Sequence, residues 1–135
     1  MQLLLDTCAA IFAAEGQLKL DALALLKDRF ERAEPLYLSP ISGWEIGLLF
    51  SKKRLLLQLH PRQYFRRLMS VPGVELAPLT PETLLESSFL PGTPPRDPAD
   101  RIIAATAREL GYTVMTRDEA LLAYAREGYL SAVEC

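Results

Sequence analysis

The sequence predicts an α/β fold in three layers, α/β/α, with a central parallel sheet of four to five strands. Three observations predict it. Strand-length apolar runs alternate with longer stretches whose apolar residues recur every three or four positions. Each run is separated from the next by enough chain for a helix, which implies parallel pairing through right-handed crossovers. Glycines and Asp-Pro or Thr-Pro pairs punctuate the changes of period. At 135 residues the chain has the length of one domain with one core, so residues 1–135 are expected to fold as a unit with a single site.

The first run, residues 2–5, stops at Asp6-Thr7 and reads as a buried strand followed by a turn. Over residues 18–33, Leu20, Leu23, Leu26, Phe30 and Ala33 fall three or four apart and mark an amphipathic helix. Residues 36–39 fit a second strand. Ser42-Gly43-Trp44-Glu45 has the spacing of a capping box, in which a serine oxygen and a glutamate three residues on take up the first free amides of a helix, here running to about residue 54. Pro61 suits the first turn of a helix through residue 69, Gly73 punctuates, and residues 74–77 form a strand. Thr80-Pro81 opens a helix ending near residue 90. Four prolines and a glycine in residues 91–98 exclude both helix interior and central strand, so this is a loop. Asp97 then caps a helix with Pro98 at its first position and Gly111 as its stop. Residues 113–116 are a strand, residues 116–119 open a helix that ends by Gly128, and residues 130–133 suit a short last strand.

Composition narrows the function classes. Half the residues are apolar and 24% are charged, an ordinary globular balance that argues against long disordered tails. No apolar run approaches the roughly 20 residues of a membrane span, and no basic segment leads into a long apolar one, so a cytoplasmic location is expected. Cys8 and Cys135 have neither metal-type nor redox-type spacing and are assigned no chemistry. Fifteen bases against seventeen acids give a net charge of −2, which by itself does not mark a nucleic-acid binder. Were four acids set aside in a pocket, thirteen would face fifteen bases, so the remaining surface would be mildly basic.

Topology gathers the carboxylates. A residue just after a strand of a parallel sheet lies at its carboxyl edge, where ligands of such folds bind. Asp6 and Asp118 meet that condition, and Glu45 starts the helix after the second strand. Asp100 begins a helix that runs antiparallel to the strands, so its first turn lies at the same edge. Their lateral closeness depends on strand order. Singly, each has a bland explanation: Glu45 completes a capping box, Asp97 is an N-cap, and Asp100 and Asp118 favour a helix's first turn. Asp6 is harder to explain away, because a charge ending a buried strand must be solvated, paired or metal-bound. A tight carboxylate cluster is best neutralised by a hard divalent cation, Mg2+ or Mn2+; zinc would want histidine or cysteine, and the one histidine, His60, lies outside the set.

Leu4-Leu5-Asp6-Thr7, Trp44-Glu45-Ile46, Asp97-Pro98-Ala99-Asp100-Arg101, Ile103-Ala104-Ala105-Thr106-Ala107 and Thr116-Arg117-Asp118 resemble, in order and spacing, the PIN domain of VapC-type toxins, over nearly the whole chain. The resemblance implies a PIN-like endoribonuclease that uses magnesium or manganese, the toxin of a type II toxin-antitoxin pair, usually dimeric and silenced by a cognate VapB-type antitoxin. It implies Asp6, Glu45, Asp100 and Asp118 as catalytic residues, with Asp6, Asp100 and Asp118 on the metal, Glu45 orienting or deprotonating a water, Thr7 and Thr116 as polar companions, and Asp97 left as the cap. Family members often carry histidine just before the Asp97 segment, where this chain has Pro94, Pro95 and Arg96.

RNA must be held by bases beside an anionic pocket. Arg96, Arg101 and Arg117 adjoin the motifs, and Lys52-Lys53-Arg54 with Arg62, Arg66 and Arg67 are further candidates. Leu55-Leu56-Leu57 with Leu59 reads as part of a dimer or antitoxin groove, and Trp44 as a core or interface residue. Three alternatives stand: a PIN-like nuclease that processes RNA without being a toxin, a phospho-acceptor receiver domain, and a binding protein without catalysis. A receiver needs a paired acid at the first strand and a late lysine, whereas Asp6 stands alone and no lysine follows Lys53.

Overall fold

A computed structural model describes residues 1–135. Its elements run β1 (Leu3–Leu5), α1 (Thr7–Ala14), α2 (Leu20–Glu31), β2 (Leu36–Leu38), α3 (Pro40–Ser51), α4 (Pro61–Ser70), β3 (Val74–Leu76), α5 (Pro81–Glu86), α6 (Pro98–Leu110), β4 (Thr113–Thr116), α7 (Glu119–Arg126) and β5 (Ser131–Glu134). All five strands pair in parallel in the order β3-β2-β1-β4-β5. The order grows outward from β1 on one side and then restarts at β4 on the other. The β1/β4 boundary is therefore the topological switch point, whose carboxyl-end crevice is the usual ligand site of open α/β sheets.

Two apolar clusters cover the two sheet faces. Leu4, Ile103, Ala104, Ala107, Val114, Leu121 and Tyr124 belong to one, under α6 and α7. Leu3, Leu5, Ala9, Ala10, Ala22, Leu38 and Met115 belong to the other, under α1 and α2. The opposite allegiance of neighbouring Leu3, Leu4 and Leu5 is the period-two alternation of a strand buried on both sides.

Three local expectations need correction. The turn expected after Asp6 is helix α1, capped by Asp6; its sequence TCAAIFAA is apolar on nearly every face, so no amphipathic period announces it. α3 does not begin with a capping box at Ser42. Ser39 caps it, accepting from the Ile41 amide at 3.1 Å with Pro40 in the first turn, which leaves Ser42 and Glu45 inside the helix and free for other partners. Only part of the expected core stripe of α2 faces inward: Leu26 packs on the core beside Leu25 and the buried Ala22, whereas Leu20 is 83% and Phe30 59% exposed and Arg29 is buried instead. α5 also stops at Glu86, short of residue 90. The Asp97-Pro98 start and the Gly111 stop are as expected, with Gly111 at φ 72°, a left-handed conformation that glycine adopts without strain. No helix is long and apolar enough to cross a membrane.

Candidate metal centre at the carboxyl edge

Asp6 leaves β1 and caps α1, with the Ala9 amide donating to Oδ1 at 2.8 Å. Its other oxygen accepts from the Thr116 hydroxyl at the end of β4, the strand beside β1. Thr116 Oγ1 in turn accepts from the Asp118 amide at 2.9 Å, and Asp118 caps α7, accepting from the Leu121 amide at 3.0 Å. One hydroxyl thus ties the two acids across the switch point. Asp6 is 3% exposed, whereas Asp118 is open to solvent.

Glu45 arrives from the other side on α3. The Thr7 hydroxyl donates to its Oε1 and lies 2.9 Å from the Ser42 hydroxyl, so Thr7 joins α1 to α3. Asp97 caps α6 by accepting from the Asp100 amide at 3.0 Å. Carboxylate oxygens of Glu45, Asp97 and Asp100 lie within 4.8 Å of one another. All five acids, with Thr7 and Cys8, line one concavity of about 260 Å³.

The electrostatics are those of a charge deficit. None of the five acids is in a salt bridge. Burial, followed by repulsion from Asp118, Asp97, Glu45 and Asp6, pushes Asp100 up to about 8. Burial likewise raises Glu45, opposed by the Thr7 hydrogen bond and reinforced by Asp97, Asp6 and Asp118. Burial also raises Asp6 against the bonds from Thr116 and Ala9, with Asp118 adding to the rise and Arg117 the one cation that opposes it. Burial and the surrounding acids push the Cys8 thiol up to about 11, so it offers no thiolate. An oxygen-only donor set with no base paired to it fits a hard divalent cation, and the protonated thiol makes a soft one a poor match.

Arg117, Arg101 and Arg96 differ in their commitments. Arg117 donates to the Gln17 and Cys135 carbonyls at 3.0 and 2.7 Å and lies 4.0 Å over the Phe12 ring. Arg101 donates to the Ser87 and Pro95 carbonyls at 2.8 and 3.2 Å. Arg96 is exposed and has no side-chain partner. His60 caps α4 through Nδ1, and Trp44 is 53% exposed, outside the core. Asp97 is the residue that sequence reasoning left out of the site; its i,i+3 spacing to Asp100, which puts both on one helix face, was the available signal.

A larger hollow of about 470 Å³ opens at the opposite edge of the sheet, between α6, β4 and β5. Its one charged side chain, Arg108, already donates to the Tyr129 carbonyl at 2.6 Å. Uncompensated charge, rather than volume, marks the carboxyl edge as the site.

The family model described as PIN domain matches residues 3–127. Ribonuclease VapC22 of Mycobacterium tuberculosis is 33% identical over 91 residues, covering 67% of this chain and 68% of that relative. Among solved structures, VapBC2 from Rickettsia felis bound to a DNA fragment from their promoter superposes at TM-score 0.67, with 15% identity over 99% of this chain and 98% of the other. FitAB bound to the IR36 DNA fragment aligns at TM-score 0.62, with 21% identity, covering 98% and 94%. FitAcB from Neisseria gonorrhoeae aligns at 0.60, with 23% identity, covering 97% and 96%.

Proposed function

The chain belongs to the PIN-domain family, and from that footing we propose that it is a metal-dependent endoribonuclease, the toxin of a type II toxin-antitoxin pair. The observation that carries the nuclease reading is the set of five carboxylates, none of them in a salt bridge, at the switch point. Kinship with a protein named a ribonuclease supplies the substrate class. The whole of residues 1–135 acts as one nuclease domain in the cytoplasm.

Asp6, Asp100 and Asp118 would hold magnesium or manganese, and Asp97, beside Asp100 and Glu45, joins the donor set. When bound, the cation supplies Lewis acidity that lowers the pKa of water and offsets charge on the scissile phosphate. The protein's own part is orientation and proton handling. Thr116 and the Ala9 amide fix both oxygens of Asp6, so that carboxylate is aimed before any ligand arrives. Thr7 fixes one oxygen of Glu45 and leaves the other to orient the attacking water and accept its proton. The raised affinity of Glu45 for a proton brings it closer to neutrality, which suits a general base.

A cognate VapB-type antitoxin is the expected partner, a reading supported by the fold neighbours described as VapBC2 and FitAB assemblies. Exposed Leu84, Leu85 and Phe89 around α5, with Trp44, are apolar surface that a homodimer would cover. The test is cleavage of single-stranded RNA by the purified chain with Mg2+ or Mn2+ and with chelator. Cleavage is expected only with metal and is lost in Asp6→Asn, which keeps the helix cap because asparagine caps as well as aspartate. Undiminished cleavage in chelator contradicts the metal assignment.

A further inference from the structure

Seven of the fifteen lysines and arginines have a partner for their charged group. Lys19, Arg29, Arg32 and Arg126 meet carboxylates, and Arg101, Arg108 and Arg117 donate to main-chain carbonyls. Of the other eight, Lys27 and Arg96 stand apart. The remaining six, Lys52, Lys53, Arg54, Arg62, Arg66 and Arg67, all belong to α3–α4 and the connection between them, and all are exposed. Residues 46–74 hold these six cations and no aspartate or glutamate, in a chain that is net acidic. A merely solvated surface would mix the signs.

This basic unit shares helix α3 with the acid site. α3 carries Glu45 and is tied to α1 by Thr7 at its first turns, and Lys52 ends the same helix seven residues on, about 10 Å along the axis. α4 packs on α3 and turns Leu68 and Met69 toward the core, while Arg62 and Arg66 stand one turn apart on the solvent side. The rings of Phe50 and His60 lie 6.3 Å apart on this unit, tilted at 57°, adding aromatic surface to the charge.

We propose that the α3–α4 unit is the surface that holds the RNA strand and feeds it to the carboxylate pocket. The inference rests on the nuclease reading for its substrate. The physical need is plain: the pocket repels phosphates, so affinity must come from cations outside it that release counterions on binding. Aromatic rings beside a cationic track are the usual means of holding single strands without sequence readout.

The experiment measures fluorescence anisotropy of a labelled single-stranded oligouridine, with chelator present so that no bond is cut, over a range of salt. It compares the wild-type chain, Arg62→Gln/Arg66→Gln/Arg67→Gln, Lys52→Gln/Lys53→Gln/Arg54→Gln, and the isolated-cation control Lys27→Gln, with circular dichroism to verify folding. Each triple variant is expected to bind about tenfold or more weakly, with the slope of log affinity against log salt reduced by about 2, while the control matches wild type. Equal affinity and slope in the triple variants, or an equal loss in the control, overturns the proposal. So does unchanged RNA binding with loss of antitoxin assembly, which would make the unit a protein-docking surface. If RNA binding depends on the unit yet no metal gives cleavage, this inference stands and the nuclease reading falls; cleavage with no dependence on the unit gives the reverse.

Discussion

The two edges of the sheet handle buried charge in opposite ways. At the amino edge, Arg29 is 9% exposed and donates to the Met1 carbonyl at 2.7 Å, pairs with Glu34, and reaches Asp28 at 3.3 Å, leaving only its Nε without a partner. At the carboxyl edge, five acids share a concavity with no base paired to any of them. The same fold compensates charge at one edge, where it ties structure together, and leaves it unpaired at the other, where we propose that it holds a cation. Charge at the first edge should therefore matter to stability, and at the second to catalysis.

The largest expected effect is at the carboxyl edge. Asp100→Asn lowers RNA cleavage with manganese by a factor on the order of 10² to 10⁴, while the folded fraction is unchanged. Wild-type activity in that variant would reduce Asp100 to a first-turn helix residue. At the amino edge, Arg29→Met leaves cleavage per folded molecule unchanged but destabilises the chain by about 2 kcal/mol in urea melts, because Glu34 and the Met1 carbonyl lose a charged donor. That figure is kept low because both acidic partners are about two-fifths exposed. A change in kcat with stability intact would erase the contrast between the edges.

The third expected effect is a pH signature. Asp100 holds its proton more tightly in the folded chain, up to about 8 against an ordinary 3.8. Its contribution to folding is therefore complete below pH 3.8 and is lost as the pH climbs through that window. Without metal, the melting temperatures of wild type and Asp100→Asn should coincide near pH 4, and the variant's should exceed wild type's increasingly toward pH 8. Added magnesium should close the gap by stabilising only wild type. A gap independent of pH would show that Asp100 is not held against its neighbours' charge.

Much of this was legible in the sequence, and the gaps have physical reasons. Asp6 and Asp118 could be placed because each comes just after a strand of a parallel sheet, whose carboxyl edge chain direction alone defines. Strand order could not be read, since crossover connections of similar length allow β4 on either side, and only the β1/β4 pairing puts Thr116 between the two acids. The Ser42-x-x-Glu45 spacing matches a capping box and so misplaces the start of α3; Ser39-Pro40, the same kind of signal as Thr80-Pro81 and Asp97-Pro98, is the true start and leaves Glu45 free for the site. Asp97 was passed over because a cap accounts for it fully, yet a cap occupies one oxygen of two. The outward ends of the α2 stripe, Leu20 and Phe30 against the core-facing Leu26, show the limit of periodicity, which identifies an apolar face without saying how much of it this chain covers.

The central claim is that separate acids converge on one cation. Isothermal titration of Mn2+ into the metal-free chain tests it most directly, with wild type beside Asp6→Asn, Asp100→Asn and Asp118→Asn, all of which keep their helix caps or turns. The account predicts saturable binding by wild type that weakens sharply in every variant and releases protons near neutral pH. Identical Mn2+ affinity in all four proteins would contradict it.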